Sequence, residues 1–117
     1  MIRQGDVYWM ELGRPFGSEP GYRRPHVVVQ NNLLNASRIQ TVVCCALTTN
    51  LQRAAAPGNV LLRRGEANLP ETSVMNVTQL VTADRRRLVE KIGTLSASRL
   101  QEVLTGIRWL VEPREAG

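Results

Sequence analysis

Short apolar runs separated by polar turns rich in Gly, Pro and Asn fill the first 95 positions, and helical spacing shows only at the end. Residues 5–12, Gly-Asp-Val-Tyr-Trp-Met-Glu-Leu, are rich in β-formers and read as a first strand. Residues 13–21 hold Gly, Pro and Ser and read as a loop. Pro25 cannot donate to a sheet ladder, so it suits the first position of a second strand over 25–30. Residues 31–37 predict a turn or one loose helical turn, and a third strand follows over 40–48. The polar stretch 49–59 predicts a flexible loop, 59–63 a short strand and 65–71 another turn. Over 73–80, Val74, Asn76 and Thr78 alternate with Met75, Val77 and Gln79, the period of a strand with one face near solvent or a site. Asp84 and the three arginines after it form a charged turn, and 88–95 predict a last short strand. Ser96 is then a candidate N-cap. Leu100, Val103, Leu104, Ile107 and Val111 recur at helical spacing, which predicts a helix over 97–110 that Pro113 stops. Leu100, Val103, Leu104 and Ile107 are its expected core face; Trp109 lies off that stripe and is expected to be an exposed aromatic.

Many short strands followed by one helix predict a mainly β (α+β) fold, a small, strongly twisted sheet or half-closed barrel capped by the helix, without βαβ winding. One domain over 1–117 is expected, with 112–117 a frayed tail. A chain of this size buries enough surface to need no disulfide or metal staple. Cys44 and Cys45 are adjacent, so on a strand they point to opposite faces. They make poor disulfide partners and read as small buried residues, as in a reducing cytosol. With His26 the one histidine, no metal-ligand cluster and no cofactor are expected. No charged-then-apolar leader and no long apolar run is present, so a cytoplasmic protein off the membrane is expected.

Charge sharpens this picture. The net charge is +5 and the isoelectric point 10.2, and fourteen of the fifteen cations are Arg. Arg presents a planar fork of donors matched to phosphate oxygens, so an evenly solvated basic surface competes with a binder of nucleic acid or of an acidic protein. At 4% aromatic residues the chain has few platforms for base stacking.

The candidate chemistry sits where two strands should meet. If 25–30 and 40–48 pair antiparallel, the start of one lies beside the end of the other, and Arg24 and Thr48 share one rim. No Gly-rich phosphate loop, Gly-x-Ser-x-Gly or His-Glu-x-x-His is present. One reaction suits Arg, Thr, Ser and Gln: RNA scission by the RNA's own 2′-hydroxyl. The protein then positions that group and stabilises charge on the phosphorus. Arg supplies a permanent cation and Thr a hydroxyl donor. The general base stays open between a substrate oxygen, a water, Glu19 and His26. His26 shares a strand face with Arg24, and a packed or half-exposed histidine is the favoured reading of it.

The sequence resembles the MazF/PemK family of toxin–antitoxin toxins. Arg3-Gln4-Gly5-Asp6-Val7-Tyr8 is similar to the family's opening, Gly17-Ser18-Glu19-Pro20-Gly21 to its loop, Arg24-Pro25-His26-Val27-Val28-Val29 to its Arg-Pro strand, and Leu47-Thr48-Thr49 to its strand-ending Thr pair; Gln79-Leu80 and the closing helix also fit. The resemblance covers roughly 1–111. It implies an SH3-like barrel of short antiparallel strands with a C-terminal helix, usually a homodimer. It implies a metal-independent, sequence-selective endoribonuclease acting on single-stranded RNA, leaving 2′,3′-cyclic phosphate and 5′-hydroxyl ends, and neutralised by an acidic antitoxin of the MazE type. Its catalytic pair maps onto Arg24 and Thr48. Ser18, Glu19, Arg23, Thr49 and Gln79 are the expected substrate contacts. Thr78 and Val81 stand where many members carry an acidic and a basic residue, and His26 where they carry a small apolar one. Two other readings remain: a CcdB-type gyrase-poisoning toxin of the same fold, and a non-catalytic nucleic-acid module.

Overall fold

A computed structural model describes residues 1–14, 16–18 and 22–116. The apolar runs become strands β1 (Asp6–Glu11), β2 (Arg23–Val28), β3 (Thr41–Thr48), β4 (Val60–Leu62), β5 (Ser73–Asp84) and β6 (Leu88–Thr94). A single helical turn, α1 (Asn32–Asn35), joins β2 to β3, and α2 (Ala97–Val111) closes the chain. The strands form one antiparallel sheet in the order β4-β5-β3-β2-β1-β6. The sheet curls into a half-barrel. Between its two edges lies the turn around Glu66–Asn68, where Asn68 Nδ2 donates to the Ile92 carbonyl at 3.2 Å. Gly93 permits that approach, because a Cβ there would run into the Ala67 carbonyl.

The two faces carry two apolar clusters. Val7, Val27, Cys45, Leu47, Leu62, Met75 and Val77 pack with Val103 of α2, while Met10, Val28, Val42, Cys44 and Ala83 form a second cluster. The adjacent cysteines thus divide between the clusters, as the strand's period of two requires. Both thiols are free, and burial pushes each up to about 12.

Helix α2 starts as expected, with Ser96 Oγ accepting from the Arg99 amide at 3.2 Å. It docks through Gly106, where a Cβ would meet the Gly58 carbonyl, and through Arg99, which donates to Glu66 at 2.7 Å. Of its expected core face, Val103 is fully buried, whereas Leu100, Leu104 and Ile107 are only half-buried. Trp109 is half-buried rather than exposed, with the Arg114 guanidinium 4.9 Å from its ring centroid.

Four elements differ from the pattern's prediction. Strand β2 starts at Arg23 and ends at Val28, so Pro25 lies inside it opposite Trp9 rather than at its first position. Strand β5 continues to Asp84, because its second half pairs with Thr41–Cys45 beyond an irregularity opposite Ala46. The expected flexible loop at 49–59 contains a 3-10 turn, Leu51–Ala55, begun by Asn50 Oδ1 accepting from the Gln52 amide. The charged turn is another, Arg85–Arg87, begun by Asp84 Oδ1 accepting from the Arg86 amide. Among the described residues, no helix is long and apolar enough to cross a membrane.

Candidate active site at the β2–β3 rim

Strands β2 and β3 pair antiparallel with His26 opposite Ala46. Arg24 and Thr48 each lie two residues beyond that pair, at the same end of the sheet, and both line one hollow. Arg24 pairs with Met10 of β1, which holds its backbone in the sheet. Strand β5 leaves β3 at the same end, with Thr48 opposite Val74, and the segment before it supplies another wall. Arg64 N donates to Thr72 Oγ1 at 3.0 Å and Ser73 Oγ to the Glu71 carbonyl at 2.9 Å, which fixes that wall. The result is a hollow of about 250 Å³ reached by Arg23, Arg24, Thr48, Thr49, Glu71 and Trp9 among others.

The two arginines differ in what they touch. Arg23 donates to Glu90 at 3.0 Å, lies 3.8 Å from Glu11, and stacks 5.1 Å from the Trp9 centroid. Each such exposed pair is worth about 1 kcal/mol or less, yet together they hold the side chain across β1 and β6. The Arg24 guanidinium makes no hydrogen bond or ion pair among the described residues. It is a cation at the hollow with its donors free. Thr48 Oγ1 accepts from the Asn50 amide at 3.1 Å. Its oxygen is thereby positioned and its own proton stays available to an incoming acceptor. A free guanidinium fork beside an oriented hydroxyl is a site for a phosphate group.

His26 is completely buried and does not line the hollow. Its Nδ1 lies 3.1 Å from the Arg24 carbonyl, which can only accept, so this nitrogen carries the proton. Burial is the largest cause lowering its pKa, to about 4, so the ring is neutral at physiological pH. It is a packed histidine, as favoured, and is out of reach as a base for substrate.

The remaining expected contacts separate. Thr49 is exposed at the hollow. Ser18 is exposed in the β1–β2 connection and Gln79 half-buried where β5 bends; neither lines the hollow. Glu19 lies outside the described residues. Trp9 and Glu71 line the hollow without having stood out in the sequence. A strand aromatic two positions from the Arg23 partner Glu11 marks Trp9 in retrospect, whereas Glu71 carries no local signal. Among the described residues no group of three or more His, Cys, Asp or Glu side chains is placed to hold a metal ion.

A curled antiparallel half-barrel with a C-terminal helix, carrying a hollow lined by two arginines at one rim, defines a small β protein with its candidate site at the sheet's edge. Solved structures share this fold. An endoribonuclease in complex with its cognate antitoxin from a mycobacterial species superposes with a TM-score of 0.78 at 23% identity, over 98% of this chain and 100% of that one. MazF from Deinococcus radiodurans gives 0.76 at 23%, over 94% and 96%. The family model of PemK-like, MazF-like toxins of type II toxin–antitoxin systems matches residues 3–111, and the chain belongs to that family. Endoribonuclease MazF6 of Mycobacterium tuberculosis H37Rv is 41% identical over 112 residues, covering 96% of this chain and 98% of that protein. Endoribonuclease MazF of Staphylococcus epidermidis is 39% identical over 103 residues, covering 88% and 85%.

Proposed function

We propose that this chain is a toxin endoribonuclease that cuts single-stranded RNA sequence-selectively and without a metal ion, by attack of the 2′-hydroxyl on the adjacent phosphorus. The observation that carries this reading is the Arg24 guanidinium, unpaired among the described residues, at the same hollow as the Thr48 hydroxyl, in a chain whose relatives are named endoribonucleases. Arg24 faces the non-bridging oxygens as negative charge grows on them, and Thr48 donates to one of them. Such donors accelerate because they meet charge that is larger in the transition state than in the bound substrate. Arg23 and Thr49 hold the neighbouring phosphate. Ser18, Glu19 and Gln79 meet nucleotides beyond the scissile step. The products are a 2′,3′-cyclic phosphate and a 5′-hydroxyl end. The protein works in the cytoplasm as a homodimer of one domain per chain, and an acidic antitoxin neutralises it by covering the same cationic rim; a solved endoribonuclease of this fold is in complex with its cognate antitoxin.

A gyrase-poisoning toxin of the same fold is not favoured: a pure binder has no use for Arg24 and Thr48 at facing strand ends, and the named relatives are ribonucleases. The test is incubation of the purified chain, free of antitoxin, with a long single-stranded RNA in excess EDTA. Discrete fragments with 5′-hydroxyl ends are expected. Intact RNA beside a positive gyrase-inhibition assay would replace this reading with the other.

A further inference from the structure

The reaction needs a group to take the 2′-hydroxyl proton, and among the described residues lining the hollow Glu71 is the one carboxylate. Resting on the ribonuclease reading above, we propose that Glu71 is the general base. Its segment is fixed to β5 by the Ser73 Oγ bond to the Glu71 carbonyl and to the β4 end by the Arg64–Thr72 bond. Its carboxylate is engaged in no hydrogen bond or ion pair among the described residues. Arg24 and Glu71 line the same hollow of about 250 Å³ and form no ion pair with each other. A carboxylate beside a phosphate site opposes binding of the phosphate, so its placement there serves proton transfer rather than affinity. The other acids near the rim are engaged elsewhere, since Glu11 and Glu90 both pair with Arg23. His26 is sealed inside the sheet. Among the described residues the other charged groups lining the hollow are Arg23 and Arg24 of β2; β1 presents Trp9, β3 presents Leu47 and Thr48, and Thr49 follows β3, all without charge.

The step balances as follows. The Glu71 carboxylate takes the 2′-hydroxyl proton as the 2′-oxygen bonds to phosphorus. The bond from phosphorus to the 5′-oxygen breaks, and that oxygen leaves with the electron pair and takes a proton from solvent water. The carboxylic acid gives its proton to the hydroxide so formed. No electron changes hands.

The test compares wild type, Glu71→Gln, Glu71→Asp and Glu19→Gln in single-turnover cleavage of one RNA across pH, with circular dichroism as a check of folding. Glu71→Gln should lower the rate about 10²–10⁴-fold near neutral pH with RNA affinity unchanged or improved, and should remove the acid limb of the pH–rate profile. Glu71→Asp should retain that limb at a reduced rate. Wild-type rates in a folded Glu71→Gln overturn the proposal. So does a slow variant whose acid limb persists, which would make Glu71 a positioning residue, and so does loss of the limb in Glu19→Gln instead. Wild-type protein that leaves RNA intact would sink the ribonuclease reading itself, a result distinct from all of these.

Discussion

His26 couples the packing of β2 to pH. The ring is completely buried and neutral, with its pKa lowered to about 4, against 6.5 for an ordinary histidine. In the interval between, the unfolded chain binds a proton that the folded chain refuses. Folding stability therefore falls as pH drops below about 6.5, and the loss is complete near pH 4. At about 1.4 kcal/mol per pH unit the whole interval amounts to roughly 3 kcal/mol. About 2 kcal/mol of this falls between pH 7 and pH 5. For a domain of this length that corresponds to a melting temperature lower by roughly 8 °C. The assay is thermal melting of wild type and His26→Val at both pH values and one protein concentration, since acidic groups elsewhere contribute equally to both proteins. Wild type should lose roughly 8 °C more than the variant on going from pH 7 to pH 5. Equal losses would refute the reasoning and mean that the ring is solvated or charged in the folded state. The variant should also cleave RNA normally at pH 7, because His26 does not reach the hollow.

Two further outcomes follow from the geometry. Thr48→Val should lower the cleavage rate by about 10²-fold with little change in melting temperature, measured under single-turnover conditions; wild-type kinetics would remove its hydroxyl from the reaction. Gly106→Ala should destabilise by about 2 kcal/mol or more, read by urea unfolding, because the new Cβ meets the Gly58 carbonyl and α2 must lift off its seat; an unchanged midpoint would show that the helix docks elsewhere.

Much of this architecture was legible because it depends on local pattern. The β-formers of β1, the apolar run of β3 and the Ser96 cap of α2 each state their element within a few residues. The rim was legible for the same reason: antiparallel pairing of two recognisable strands is enough to bring Arg24 to Thr48. What escaped depends on partners distant in sequence. That Arg23 is engaged while Arg24 is not, among the described residues, follows from Glu90 of β6 and Trp9 of β1, which hold only the first. Glu71 reaches the hollow only because β5 pairs with β3 and carries the preceding segment along. The far half of β5 lies beyond an irregularity that breaks its alternation, so its continuation to Asp84 shows in the ladder and not in the residues. The half-burial of Leu100, Leu104 and Ile107 has a similar origin, since α2 is seated by a glycine–glycine contact that no apolar stripe reveals.

The most direct test of the central claim is cleavage of one defined single-stranded RNA by wild type and by Arg24→Ala, side by side in EDTA, with melting curves of both. Discrete fragments are expected with wild type, none above background with the variant, and melting temperatures that agree closely, because the Arg24 guanidinium makes no hydrogen bond or ion pair among the described residues. A folded Arg24→Ala variant that cleaves at the wild-type rate would contradict it and place the chemistry elsewhere on the chain.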